Sequence, residues 1–98
     1  MSLAHHVLFR FSSPETREEA LRLMEERYAL MEREIPEVLG FTLREGGPAD
    51  GPGAELVLSI RFRDSRDLQT YIDHPLHRET QALTRALVEK VGAFDEED

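Results

Sequence analysis

The segment YIDHPLHRE, residues 71–79, contains the side chains best suited to chemistry in this sequence. Tyr71, His74 and His77 follow one another at steps of three residues, and Pro75 lies between the two histidines. A neutral imidazole can accept a proton near pH 7, and a neighbouring phenol can polarise a carbonyl group. Together these groups suit removal of a proton beside a carbonyl and stabilisation of the enolate that forms.

A metal site is a second chemistry that these histidines suggest. Helical ligands three residues apart, as His74 and His77 are, can share a metal ion. Pro75 breaks the helix between them, however, because a proline removes a backbone hydrogen bond of the helix. Only His5 or Glu79 offers a further ligand, and the sequence contains no cysteine. We therefore predict that the chain has no metal site and needs no cofactor.

The strand that must position His5 is predicted from the segment HHVLFRF, residues 5–11. Its residues favour β-structure, and alternation places odd-numbered residues on one face and even-numbered residues on the other. His5 therefore shares a face with Val7 and Phe9, which we expect to meet the helices. His6 lies on the opposite face, and no chemistry is assigned to it.

A long helix is predicted to begin in the segment SSPE, residues 12–15, and to run to about Glu34, before Pro36. A serine cap, a proline at the first helical position and an acidic first turn are typical of a helix start. Apolar residues then recur at steps of three or four and form a buried stripe. The stripe consists of Ala20, Met24, Tyr28, Met31 and Ile35.

Two further strands are predicted over residues 38–45 and 55–62, which alternate between apolar and polar positions. The glycine-rich loop 46–54 between them indicates an antiparallel hairpin.

Two helices are predicted after the hairpin. The first, over residues 64–73, places Tyr71 on an apolar face. The second begins at Pro75 and closes at Gly92, and the segment AFDEED then forms a short last strand or a frayed acidic tail. The second helix is expected to bury Leu76, Leu83, Ala86, Leu87 and Val91.

This β-α-β-β-α-(α)-β order predicts a single α+β domain over residues 1–98. Elements in this order build a ferredoxin-like βαββαβ fold, in which helices cover one face of a four-stranded antiparallel sheet. The other face carries Leu8, Val57 and Ser59, a mixture too apolar for solvent and too polar for a core. We expect two such faces to pack together in a homodimer with a two-fold axis.

Charge and hydropathy exclude several classes of function. The formal net charge of −8 opposes nucleic-acid binding, because phosphates would be repelled and the basic residues do not cluster. No apolar run approaches the roughly 18 residues that span a membrane, and the N-terminus lacks the features of a signal peptide. With no cysteine in the chain, these features favour a cytoplasmic protein.

Two motifs resemble the stress-responsive A/B barrel domain family. The first, HHVLFRF, has the family's initial histidine, its apolar stretch and its basic-phenylalanine pair. The second, within YIDHPLHRE, has the family's tyrosine, its His-Pro pair and its second histidine. With the element order, this resemblance covers essentially the whole chain. It implies a dimeric α/β barrel, in which two ferredoxin-like sheets face each other.

The resemblance also implies a site. A plant member of the family closes a linear polyketide by intramolecular aldol condensation without a cofactor, and its signature tyrosine and second histidine do the acid-base work. Carried over to this sequence, these are Tyr71 and His77 as catalytic residues. His5 and His74 are predicted to contribute to ligand binding, although a histidine before a proline at a helix junction is also typical of a cap.

Two functions stay open at this point. The first is binding of a small apolar or carbonyl-bearing ligand between sheet and helices, with cofactor-free chemistry of the cyclase or isomerase kind. The second is a non-catalytic, stress-related homodimeric binding module. An open cavity that touches His5, Tyr71 and His77 together would favour the first function. Leucines and phenylalanines filling that space would favour the second.

Overall fold

Residues 2–97 are described by a computed structural model, and within them the chain forms four strands and three α-helices. No helix in this part of the chain is long and apolar enough to pass through a membrane. Short 3-10 turns occur at Pro14–Thr16 and Pro48–Asp50. The strands and helices are β1 (Leu3–Phe11), α1 (Arg17–Glu34), β2 (Gly40–Glu45), β3 (Leu56–Phe62), α2 (Ser65–Asp73), α3 (Pro75–Thr84) and β4 (Val88–Glu97).

Local sequence explains where the first two helices begin. The hydroxyl of Ser13 accepts a hydrogen bond from the N–H of Glu15 and caps the 3-10 turn that leads into α1. The carboxylate of Asp64 accepts a hydrogen bond from the N–H of Asp67 and caps α2. In both cases a side-chain oxygen satisfies a backbone donor that the helix itself leaves free.

The sheet is antiparallel and has the strand order β2-β3-β1-β4. β1 therefore lies in the interior of the sheet, and His5 is flanked by Ile60 on β3 and by Asp95 on β4. The helices pack against the face that carries Val7 and Leu58. This architecture confirms the predicted α+β, ferredoxin-like fold.

The core lies between this face of the sheet and the helices. Met31 on α1 and Ile60 on β3 are fully buried, as are Leu58 and Phe62 beside them. The α1 stripe predicted from helical spacing is buried, and so are the odd-numbered apolar residues of β1. Alternation and helical periodicity therefore identified most of the core.

The end of the last helix differs from the prediction. α3 ends at Thr84 rather than at Gly92, and the chain turns into β4. Leu83, Ala86 and Val91 were expected to be buried and are exposed. These residues have helical spacing, but the chain leaves the helix and forms a strand instead. The edge of β1 that β3 leaves unpaired offers backbone hydrogen bonds, and β4 takes them up.

The segment AFDEED forms the second half of the ten-residue β4, up to Glu97. It is therefore longer and better paired than a short strand or a frayed tail, and Asp98 lies outside the described residues. Gly92 lies within this strand, opposite Leu8. A Cβ atom at Gly92 would lie 3.3 Å from Cδ1 of Leu8. The glycine thus makes room for a neighbouring side chain and does not cap a helix.

β4 contains a bulge of one residue. Leu8 pairs with Gly92, whereas Phe9 pairs with Lys90, so Val91 has no partner on β1. A bulge shifts the register by one residue, and a shift of one residue exchanges the two faces of a strand. Lys90 therefore lies on the helix-facing side, together with Phe9.

The face of the sheet that points away from the helices is open. Phe94 is 55% exposed there, and its ring lies over that of His6, with 4.7 Å between the ring centroids. Arg10 and Arg44 also belong to this face, and each forms a salt bridge with an acidic side chain. The open face thus carries an exposed phenylalanine, and these two arginines on it are already paired with acids.

Leu58→Ala should destabilise the fold strongly, because Leu58 is 0% exposed near the centre of β3. Loss of the buried methyl groups and the cavity left behind should lower the free energy of unfolding by about 2–5 kcal/mol. Urea denaturation followed by circular dichroism measures this change. The matched control Leu83→Ala, 47% exposed on α3, should change it by less than about 0.5 kcal/mol. Equal losses in the two variants would contradict this description of the core.

Candidate functional site

The junction between α2 and α3 positions Tyr71 and His77. His74 links the two helices in an extended conformation, with φ −69° and ψ 140°, and Pro75 occupies the first position of α3. Nδ1 of the His74 ring accepts a hydrogen bond of 3.1 Å from the N–H of Leu76. This bond satisfies a backbone donor at the start of α3. The His-Pro pair therefore turns the chain between one helix that carries the tyrosine and another that carries the second histidine.

A cavity of about 520 Å³ lies between the sheet and the helices and is partly open to solvent. His5 from β1, Tyr71 from α2 and His77 from α3 line it together, beside apolar side chains such as Val7. Three of the four predicted site residues thus meet in one place. His74 lies outside the lining of this cavity.

A hydrogen bond fixes the tautomer of His77. Nδ1 of its ring lies 3.0 Å from the carbonyl oxygen of Ile72. A carbonyl oxygen can only accept, so Nδ1 carries the proton and Nε2 of the neutral ring carries a lone pair. Within residues 2–97, no protein group forms a hydrogen bond with this Nε2. The nitrogen is therefore free to accept a proton from a molecule in the cavity.

The surroundings of His77 also keep its ring neutral. Burial lowers the pKa of His77, and the positive charges of Lys90 and Arg78 lower it further, as does His5 when its ring is protonated. The hydrogen bond to Ile72 raises the pKa and is a smaller effect than burial, although it is larger than that of any one of these charges. At neutral pH the imidazole is therefore a base rather than an acid.

Tyr71 is a buried hydrogen-bond donor. Its side chain is 2% exposed, and its ring packs against those of His77 and Phe62, with centroid distances of 4.5 Å and 5.2 Å. Burial raises the pKa of Tyr71 far above its ordinary value, and the neighbouring Tyr28 phenol raises it further. The phenol therefore keeps its proton and can donate a hydrogen bond to an oxygen that gains negative charge.

His5 forms a pair with Asp95, which stands opposite it across the β1–β4 ladder. Nδ1 of His5 lies 2.6 Å from Oδ1 of Asp95. A carboxylate accepts hydrogen bonds, so Nδ1 donates and Nε2 of the neutral ring is left as an acceptor. His5 lines the cavity, whereas Asp95 lies outside the lining and its side chain is 47% exposed to solvent.

Four residues of this site were not predicted: Tyr28, Arg85, Lys90 and Asp95. Tyr28 was assigned to the apolar stripe of α1, where its phenol is in fact next to that of Tyr71. Asp95 is separated from its histidine partner by 90 positions, so no local spacing could associate them. Lys90, the single lysine of the chain, faces the cavity because of the bulge, which has no evident signal in the sequence.

His6 lies on the open face, as the alternation of β1 predicted. Nδ1 of its ring lies 2.7 Å from the hydroxyl of Ser59, and Nε2 lies 3.1 Å from the carboxylate of Glu96. Both ring nitrogens are thus occupied on the side of the sheet away from the cavity. Among residues 2–97, no group of three or more His, Asp or Glu side chains is arranged to hold a metal ion.

Comparison with known proteins gives one match to a family over nearly the whole sequence. The family described as Stress responsive A/B Barrel Domain matches residues 3–98. No curated protein sequence matches the chain.

Solved structures share this fold at low sequence identity. A Dabb family protein with a ferredoxin-like fold from Mesorhizobium loti is 21% identical, with a TM-score of 0.79 over 99% of this chain and 96% of that chain. A dimeric protein of unknown function and ferredoxin-like fold from Bacteroides fragilis is 22% identical, with a TM-score of 0.75 over 99% and 96%. SnoaB, a cofactor-independent oxygenase from Streptomyces nogalater, is 13% identical, with a TM-score of 0.79 over 99% and 92%.

His77 should titrate with a midpoint below the ordinary histidine value of 6.5, because burial disfavours its charged form. NMR of the ring protons against pH measures this midpoint, and His77→Gln identifies the signal. Lys90→Gln removes a nearby positive charge and should move the midpoint upward. A midpoint at or above 6.5 would contradict this description of the site.

Stability should follow the same titration. The folded state holds the His77 proton less tightly than the unfolded state, so its contribution to stability is complete above about 6.5. That contribution should decline as the pH falls below this value and through the lowered pKa of the folded state. Urea unfolding of wild type and His77→Gln across this range gives the difference.

Proposed function

The chain belongs to the stress-responsive A/B barrel domain family, and we propose that it binds a small apolar, carbonyl-bearing ligand and removes a proton beside that carbonyl. One observation carries this proposal. A single open cavity is lined by His5, Tyr71 and His77 together. Burial favours the neutral imidazole of His77 and the protonated phenol of Tyr71. These are the acceptor and donor that enolate formation requires.

The proposed reaction uses groups of the protein alone. Nε2 of His77 takes the proton from the carbon beside the carbonyl, and the electron pair of the broken C–H bond forms a C=C bond. The carbonyl π electrons move onto its oxygen, and the Tyr71 O–H donates a hydrogen bond to that oxygen. The imidazolium of His77 then returns the proton to the same or another atom. An isomerisation or an intramolecular aldol closure follows from the same enolate.

His5 and Asp95 suit a positioning role in this scheme. The carboxylate orients the His5 ring, and the remaining ring nitrogen can accept a hydrogen bond from a hydroxyl or enol of the ligand. The fold is compatible with such chemistry, since SnoaB, which shares it, is a cofactor-independent oxygenase.

A non-catalytic binding module is the second candidate, and one observation favours it. His74 caps α3, and Nδ1 of His77 bonds the Ile72 carbonyl, so both histidines of the signature also serve the helix junction. The cavity argues against this candidate, because apolar side chains do not fill the space between sheet and helices.

In either case we propose that the chain forms a homodimer through its open sheet face, as a dimeric α/β barrel. Phe94 supplies exposed apolar surface on this face, opposite His6 of β1. The salt bridges of Arg10 and Arg44 reduce the cost of burial, since a paired charge is less costly to cover than a lone one. A related structure from Bacteroides fragilis is described as dimeric.

Exchange of the protons beside the carbonyl of 4-phenyl-2-butanone in D₂O tests the proposed chemistry. Proton NMR should show faster exchange with the wild-type protein. Loss of the base in His77→Gln and loss of the donor in Tyr71→Phe should each slow the protein-dependent rate by about 100-fold. The rate should rise with pH and level off, with a midpoint below 6.5, because only neutral His77 accepts the proton.

A histidine on the other face of β1 provides the matched control. His6→Gln removes a ring that lies outside the cavity, so its exchange rate should equal that of wild type. Equal rates in wild type and His77→Gln would show that His77 is not the base. No protein-dependent exchange at all, with several ketones, would leave the binding module as the better description.

Sedimentation velocity at micromolar concentration tests the dimer. Wild type should sediment as a dimer, and Phe94→Glu should shift the distribution toward monomer, because it places a charge within the proposed interface. Leu83→Glu, at a comparably exposed leucine on α3, should remain dimeric. A monomeric wild type would rule out the barrel.

A further inference from the structure

The residues that line the cavity have an unusual charge composition. The sequence has 20 acidic and 12 basic residues, yet no aspartate or glutamate lines this cavity in the described part of the chain. Two of the lining residues, Arg85 and Lys90, are permanently cationic near neutral pH. The carboxylate of Asp95 bonds His5 from outside the lining. Within the described residues, the lining itself thus contains two cations and no acid, in a protein with a negative net charge.

The bulge in β4 places Lys90 in this lining. If the register of Leu8 with Gly92 continued without the bulge, Arg10 would pair with Lys90 on the open face. Instead, Lys90 stands opposite Phe9 on the cavity side, and Arg10 pairs with Glu89. An irregularity in the strand therefore directs the cation into the cavity and the acid away from it.

Neither cation is neutralised by the protein. Within residues 2–97, Arg85 and Lys90 form no salt bridge with an acidic side chain. Arg85 lies directly after α3, where its backbone N–H donates a hydrogen bond to the carbonyl of Gln81, and it is an exposed residue of the cavity lining. Lys90 is near enough to the base for its charge to lower the pKa of His77. Two cations without an acidic partner in this part of the chain thus line the cavity that Tyr71 and His77 also line.

We infer that the ligand of this cavity is an anion: an apolar, carbonyl-bearing molecule that also carries a carboxylate, held by Lys90 and Arg85. This inference rests on the proposed function and specifies its substrate class. The planar guanidinium of Arg85 can bind both oxygens of a carboxylate, and the ammonium of Lys90 adds a point charge. The apolar walls take the body of the molecule, and Tyr71 and His77 meet its carbonyl group.

The same arrangement offsets the net charge of the protein. A chain of net charge −8 repels an anion at long range, whereas a local pair of cations attracts it within a Debye length. Binding of the carboxylate should therefore weaken as ionic strength rises, while binding of a neutral analogue should change little.

A near-isosteric pair of probes, 2-naphthoate and 2-naphthamide, isolates the contribution of the carboxylate. Isothermal titration calorimetry at low salt should show that wild type binds the carboxylate about tenfold more tightly than the amide. The double variant Arg85→Gln with Lys90→Gln should lose this preference and keep the wild-type affinity for the amide. Arg66→Gln is the matched control, since Arg66 is exposed on α2, outside the cavity lining, and it should keep the preference.

Each alternative result overturns a different statement. Equal binding of both probes by wild type, or a preference that survives in the double variant, would refute the carboxylate site. Tighter binding of 2-naphthyl phosphate than of 2-naphthoate would assign the cations to a phosphate instead. A carboxylate preference without ketone exchange would remove the proposed catalysis and keep this binding site. Ketone exchange without a preference for the carboxylate would keep the proposed catalysis and remove the carboxylate site.

Discussion

The pairing of β4 with β1 determines where the cavity lies and what surrounds it. Because β4 takes up the free edge of β1 from Val88 to Glu97, the last helix stops at Thr84. Residues 88–92, which the predicted longer helix would have packed on the sheet, form part of β4 within the sheet instead. The same pairing brings Asp95 to His5 and contributes Val88 to the cavity. Long-range backbone hydrogen bonds therefore shape the site more than the local periodicity of the last helix does.

Burial acts on the two proposed catalytic side chains in complementary ways. Removal of water disfavours every charged form, so it opposes both the imidazolium of His77 and the phenolate of Tyr71. The histidine consequently gives up its proton more easily, and the tyrosine holds its proton more firmly. The hydrogen bond to Ile72 then selects which nitrogen of His77 carries the lone pair. The same burial therefore favours both a neutral base at His77 and a protonated donor at Tyr71.

Sequence patterns predicted the elements better than the contacts between them. Alternation in β1 assigned His5 and His6 to their correct faces, and the helix junction followed from the position of Pro75. The extent of the last helix was wrong, because the helical spacing of Leu83 with its neighbours carries no information about a distant free strand edge. The His5–Asp95 pair was missed for the same reason, since 90 positions separate its members. Local spacing reports local structure, and this site is assembled from both ends of the chain.

The bulge at Val91 also bears on how faithfully the chain folds. A slide of β4 by one residue past Arg10 would bring Lys90 against that arginine and press Glu89 toward the apolar core. The salt bridge between Arg10 and Glu89 therefore stabilises the observed strand register, because the shifted register would place Lys90 opposite Arg10. Loss of Val91 itself would leave every other residue of β4 on its present face. The strand can thus tolerate a deletion at the bulge, whereas slippage at the same place is opposed by charge.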